Sequence, residues 1–154
     1  MTDTKSQPAA SPAPAANDWH QATLNLIGEI REYGHALNGP FVGRQVLLLT
    51  TTGAKSGEER IAPLAYSRDG DHYVIIASKG GAPTHPAWYY NLLANPTATI
   101  ELNLETIKVH ARITEGAERQ RLWDGQVAIH PGFAEYPKKT DRVIPIVVLE
   151  RIAD

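Results

Sequence analysis

The chain has 154 residues, 42% of them hydrophobic and 21% charged, with a formal net charge of -2. That suits one compact domain able to bury a core, and it gives no electrostatic footprint for nucleic acid. There is no cysteine, so disulfides, thiolate catalysis and cysteine metal sites are excluded, and a reducing, cytoplasmic setting is the default expectation.

Residues 1–17 are rich in Pro, Ala and Ser, with no apolar run of signal-peptide or membrane-span length. They are expected to form a disordered lead-in to a single domain over 18–154. Asp18 and Gln21 have capping-box spacing, and Trp19, Leu26, Ile30, Tyr33 and Leu37 recur on one face. A first helix is therefore expected from about Asp18 to Leu37, stopped by Asn38-Gly39-Pro40. Its stripe suits packing on a sheet, and the sharper alternative is peripheral contact with a membrane surface or the roof of a cavity.

Three strand-like runs follow, Gln45–Thr52, Ile61–Ser67 and His72–Ser78, expected to pair as a meander, the last two joined by the turn Arg68-Asp69-Gly70-Asp71. Pro63 lies inside the second and belongs at an edge, at a bulge, or where a ligand replaces the missing ladder bond. The Gly-Pro loop after Ser78 feeds a short helix from near Pro86 to Asn95-Pro96. Two more strands are TATIEL and IKVHARI, where Ile107, Val109, Ala111 and Ile113 alternate with Lys108, His110 and Arg112. A helix from about Glu115 to Ala128 and the segment HPGFAEYPKKTD precede the last strand, VIPIVVLE. Six strands with interspersed helices, and no regular strand-helix alternation, predict a mostly antiparallel barrel in an α+β setting.

Two loops carry the candidate chemistry. In TTTGAKSGEER, three threonine hydroxyls end a strand, Gly53 and Gly57 permit positive φ, and Lys55, Ser56 and Arg60 add charge and donors. This suits a phosphate or carboxylate cradle, although an ordinary hairpin loop with solvated charges would read the same way. It is not a Walker A loop, because Ala54 and Leu49 stand where that motif needs glycine. In SKGGAPTHPAW, Gly80 and Gly81 let backbone approach a ligand, Lys79 offers charge, and Trp88 offers a flat wall. Such a loop is also common connective material. The six histidines show no metal-ligand spacing, and no GxSxG occurs, so metal and serine-hydrolase chemistry are unsupported. His130, Phe133 and Tyr136 gather proton donors and an apolar wall before the last strand, although a surface loop with aromatic packing would read the same way.

In this order TTTGAKSGEER with PLAY, SKGGAPTHPAWYYNLLANP and VIPIVVLER resemble the deazaflavin-dependent nitroreductase family of split β-barrel flavin and deazaflavin oxidoreductases, over about Gln45 to Ile152. The resemblance implies a six-stranded antiparallel split barrel with flanking helices that binds coenzyme F420, an 8-hydroxy-5-deazaflavin. FMN is the alternative cofactor. On matching positions, Lys55, Ser56 and Arg60 would hold the phosphate or acidic tail, and Pro63 would lie beside the cofactor. Ser78, Lys79, Gly80 and Gly81 would line the deazaflavin, with Pro86, Trp88 and Asn91 completing the site. Ala65, His130, Phe133 and Tyr136 would surround the substrate, and Tyr136 or Ser78 would donate or orient a proton. The implied reaction passes a hydride to a quinone, enone or nitro acceptor. A module that sequesters the coenzyme without turnover is the competing reading.

Overall fold

A computed structural model describes residues 16–39, 41–78, 84–140 and 142–152, the side chains of 16–20 excepted. Most of the expected lead-in, the Trp19 side chain, and Lys79, Gly80 and Gly81 lie outside the described residues.

Seven strands are present: β1 (Val46–Thr52), β2 (Glu59–Ala65), β3 (Ser67–Asp69), β4 (His72–Ile76), β5 (Thr97–Leu102), β6 (Glu105–Ile113) and β7 (Ile146–Arg151). They form one antiparallel sheet in the order β2-β1-β5-β6-β7-β4-β3. The end strands β2 and β3 are separated in the chain only by Tyr66. A sheet whose two edges are one residue apart has to roll up, and this is what makes it a half-barrel. The expected second strand is thereby divided at Tyr66, whose buried ring meets Tyr73 edge-on at 5.7 Å. The expected meander does not form, since β4 pairs with β7 rather than with β2.

Rolling buries the sheet on both faces, which is why β1, β4 and β7 are continuous apolar runs. Leu47, Leu49, Ile75, Ile100, Val109, Val147 and Leu149 fill the interior. On the outside, Val46 and Leu48 meet Ile27 and Ile30 of helix α1 (Ala16–Tyr33), while Val74, Ile76, Ile146 and Val148 meet Leu122 of helix α3 (Gly116–Ile129). Of the expected α1 stripe, Ile30 is buried on the sheet with Leu26 beside it and Ile27 joining them, whereas Tyr33 and Leu37 are exposed. Among the described residues no helix is long and apolar enough to cross a membrane.

Three boundaries differ from expectation. Helix α1 starts before Asp18, so no capping box forms there, and Gln21 bonds instead to Asn25 at 2.9 Å. It ends at Tyr33 because Gly34 turns left-handed (φ +83) and donates to the Ile30 carbonyl. Leu37 beyond it is exposed, its amide held by Glu29. On β6, Ile107, Val109 and Ala111 point inward as the alternation predicts, but Ile113 emerges at the strand end.

Candidate functional site

The loop between β1 and β2 is a closed knot of main-chain bonds. Gly53 donates to the Glu58 carbonyl at 2.7 Å, Gly57 donates to the Gly53 carbonyl at 3.0 Å, and the Glu58 amide donates to Ser56 Oγ at 3.1 Å. Gly57 adopts φ +74, as the sequence predicts. Gly53 does not use positive φ. Its requirement is space, since a Cβ there would stand 2.6 Å from Ser56 Oγ and 3.2 Å from the Glu58 carbonyl oxygen.

Helix α2 (Ala87–Ala94), entered through Pro86, clamps this loop from the side. Asn91 is buried, donates from Nδ2 to Thr51 Oγ1 at 3.0 Å, and accepts the Ala54 amide on Oδ1 at 2.9 Å. Those bonds leave the amides of Lys55 and Ser56 with no acceptor among the described residues. Lys55 has no ion-pair partner among them, and Arg60 only approaches Glu58 at 3.9 Å with both side chains exposed.

A cleft of about 720 Å³ opens over the loop, lined by Lys55, Ser56, Arg60 and Asn91 with Trp88 and Tyr90. A second recess of about 450 Å³ is lined by Pro63, Ala65, Ser78, Pro86, Phe133 and Tyr136, together with Trp88 and Arg44. Trp88 lines both. Arg60, Ile61 and Ala62 border the first while Pro63, Leu64 and Ala65 border the second, so the two follow β2, the terminal strand of the sheet. Pro63 therefore sits on an edge strand, where its missing amide does no harm to the interior ladder. Among the described residues no carboxylate lines either recess.

The second recess takes its walls from the 3-10 helix Pro131–Lys138, where the Phe133 and Tyr136 rings meet edge-on at 5.1 Å. Its polar groups are the Ser78 hydroxyl, the Tyr136 phenol and the Arg44 guanidinium. His130 does not line it. That imidazole is 2% exposed, its Nε2 lies 3.3 Å from the Tyr66 carbonyl oxygen, and burial pushes its pKa below the ordinary value. Lys55, Ser56, Arg60, Trp88 and Asn91 are thus gathered in one recess, and Pro63, Ala65, Ser78, Pro86, Phe133 and Tyr136 in the other, with His130 behind the wall.

Two arginines escaped the sequence reading. Arg142 donates to the carbonyls of Ala77 at 3.1 Å and Ser78 at 2.7 Å, and meets His85 Nδ1 at 2.9 Å. It ties the end of β4 to the entry of α2. A guanidinium only donates, so Nδ1 is the acceptor and His85 is neutral, with its proton on Nε2. Burial, then the charge of Arg142, pushes the His85 pKa down. Arg44 reaches the second recess from the turn before β1. Neither residue belongs to a local motif: Arg142 bonds to partners distant in the chain and Arg44 borders a recess built from distant segments, so spacing carried no signal for them.

Residues 27–151 match the family model described as F420H(2)-dependent quinone reductase. An F420H(2)-dependent quinone reductase of Mycobacterium tuberculosis is 43% identical over 110 residues, covering 68% of this chain and 72% of that protein. A solved F420-H2 dependent reductase, FDR-A, is 44% identical with a TM-score of 0.65, over 70% of this chain and 95% of that one. A solved structure described as a domain-swapped dimer is 39% identical with a TM-score of 0.66, over 88% of this chain and all of that one. The fold is that of the split-barrel deazaflavin oxidoreductases, as the loop resemblance implied. The chain belongs to the F420H(2)-dependent quinone reductase family.

Proposed function

We propose that the cleft along β2 is the shared coenzyme and acceptor site of an F420-dependent reductase. The observation that carries this is the continuity at Trp88 between a cleft bearing Lys55, Ser56 and Arg60 and a recess that sets the Ser78 and Tyr136 side chains, with Arg44, among the Pro63, Pro86 and Phe133 walls. The cradle suits the tailed coenzyme chemically: free amides, Lys55 and Arg60 complement phosphate and carboxylates, and the Cβ-free Gly53 keeps the loop tight enough to present them. When bound, reduced deazaflavin supplies a hydride and disfavours single-electron chemistry.

The chain's own residues then position and protonate. Lys55, Ser56 and Arg60 hold the anionic tail. Pro63, Pro86 and Trp88 provide flat walls for a ring system, with Lys79, Gly80 and Gly81 assigned to the same ring by the family resemblance. Ala65 and Phe133 confine a planar acceptor such as a quinone, enone or nitro compound and exclude water. Tyr136 Oη or Ser78 Oγ supplies or orients the proton that completes reduction. Peripheral membrane contact through α1 would rest on Leu24 and Tyr33, large apolar side chains exposed among its described residues.

Titrating purified protein with oxidised F420 and with FMN, followed by fluorescence, tests the cofactor. Saturable binding of F420 and not FMN is expected, and no response to either overturns the site. Reduced coenzyme is then mixed with a panel of quinones, enones and nitroaromatics. Binding without acceptor-dependent oxidation would replace the reductase by a sequestering module.

A further inference from the structure

The acceptor recess holds a cation that the coenzyme cradle does not need. Arg44 is fixed from both sides of its backbone: its amide donates to the Phe41 carbonyl at 3.0 Å, and the neighbouring Gln45 carbonyl accepts the Tyr66 amide at 3.1 Å. This sets it beside Ala65, which pairs with Val46 across β1 and β2. Its guanidinium makes no ion pair or hydrogen bond with any described residue. It faces the recess of Ser78, Phe133 and Tyr136, and it also borders a smaller recess against His130. The chain has a net charge of -2, yet among the described residues the linings of the cradle and the acceptor recess contain cations and no carboxylate. Lys55 and Arg60 lie at the cradle end, and among the described residues Arg44 is the cation that lines the acceptor recess.

Hydride delivery to a quinone places negative charge on an oxygen. The acceptor gains two electrons and one hydrogen, leaving a hydroquinone monoanion, and one proton from a phenol or water completes the hydroquinone. The coenzyme is oxidised by loss of the hydride and releases its remaining proton to solvent. A guanidinium stays protonated at neutral pH, so it cannot supply that proton. It can hold the charge until the proton arrives, and although Arg44 is itself exposed, a charge-assisted hydrogen bond at the recess wall is well suited to that.

We propose that Arg44 is the anion-recognition residue of the acceptor recess, holding the oxygen on which charge develops and favouring planar acceptors that carry an oxyanion or carboxylate. This rests on the reductase reading of the same cleft. The first test does not. Calorimetric titration of coenzyme-free protein with 2-naphthoate and with its neutral isostere 2-naphthamide should give about tenfold tighter binding of the carboxylate, the size expected of one charged hydrogen bond. Arg44→Gln should abolish the preference, and Arg44→Lys should keep part of it. With reduced F420 and menadione, Arg44→Gln should lower kcat by roughly tenfold or more while the Kd for oxidised F420 stays unchanged. Equal binding of the two probes by the native chain overturns the proposal, as does a preference that survives in Arg44→Gln or a loss that falls on coenzyme affinity instead. Failure of every acceptor to oxidise the reduced coenzyme would overturn the reductase reading while leaving the naphthoate comparison to judge Arg44.

Discussion

Asn91 donates to the Thr51 hydroxyl at 3.0 Å and takes the Ala54 amide at 2.9 Å, so one buried carboxamide joins helix α2 to the end of β1 and to the start of the cradle. Positioning and stability therefore meet in a single side chain. Asn91→Leu should orphan the Ala54 amide and the buried Thr51 hydroxyl and destabilise the fold by about 1–3 kcal/mol. Asn91→Asp should be milder toward stability, because its carboxylate still accepts from Ala54 and the Thr51 hydroxyl can rotate to donate. It should nevertheless weaken F420 binding more than Asn91→Leu, because it sets a negative charge beside an anion site. Urea denaturation and fluorescence titration of both variants check the reversal of order. Similar coenzyme affinities in the two variants would mean that Asn91 shapes the loop without bordering an anion.

Lys55 and Arg60 stand exposed at the mouth of the same loop, where Arg60 approaches Glu58 at 3.9 Å. Charges in that setting act through a field that salt screens within about 10 Å at 0.1 M. Lys55→Ala with Arg60→Ala should raise the Kd for F420 by about one to two orders of magnitude, since each charged contact contributes about 1.5–3 kcal/mol before solvent competition. The slope of log Kd against log salt should flatten at the same time. A slope equal to that of the native chain would remove both residues from the anion contacts.

The cradle was legible because its parts are local. Gly53, Lys55, Ser56, Gly57 and Arg60 fall within eight consecutive residues, and the flanking strands follow from their apolar runs. What joins distant segments was not legible. Nothing in the order of strands announces that β4 pairs with β7, because both are apolar on two faces and offer no alternation to match. His130 reads as a pocket residue from its neighbours Phe133 and Tyr136, yet the C-terminus of α3 turns it inward onto the Tyr66 carbonyl. Gly53 was recognised as necessary for the wrong reason, since crowding by Ser56 Oγ is visible only once the loop is closed.

Tyr136 and Ser78 line the acceptor recess from different elements, one on the 3-10 helix and one just after β4. Replacing the proton donor should depress turnover without loosening the coenzyme. Tyr136→Phe keeps the ring and its contact with Phe133, so a fall in kcat of about a hundredfold or more, with an unchanged Kd for F420, would identify the phenol as a general acid. If Tyr136→Phe is nearly silent and Ser78→Ala carries the loss, the serine hydroxyl has that role. Stopped-flow oxidation of the reduced coenzyme by menadione separates the two outcomes. Neither variant losing activity would assign the proton to solvent.

Acid should loosen the site through His85. Its Nδ1 receives a hydrogen bond from Arg142 at 2.9 Å, and burial and that guanidinium hold its pKa below the ordinary value of 6.5. The sign follows from the neutral form being the folded one. Above the unfolded pKa, the bond and its share of stability are fully present, and they are lost as pH falls toward and through the depressed folded pKa. Protonation at Nδ1 removes the acceptor and sets two cations face to face, freeing a guanidinium that also fixes the Ser78 carbonyl at 2.7 Å. His130, depressed by its own burial, adds a slope of the same sign. Urea midpoints measured from pH 7.5 to 5 should therefore fall. His85→Asn, which offers an amide oxygen to Arg142 and cannot titrate, should flatten part of that fall, and adding His130→Asn should flatten more. A pH profile identical in the native chain and in His85→Asn would show that the Arg142 contact survives protonation, and the depressed pKa would then have no consequence for stability.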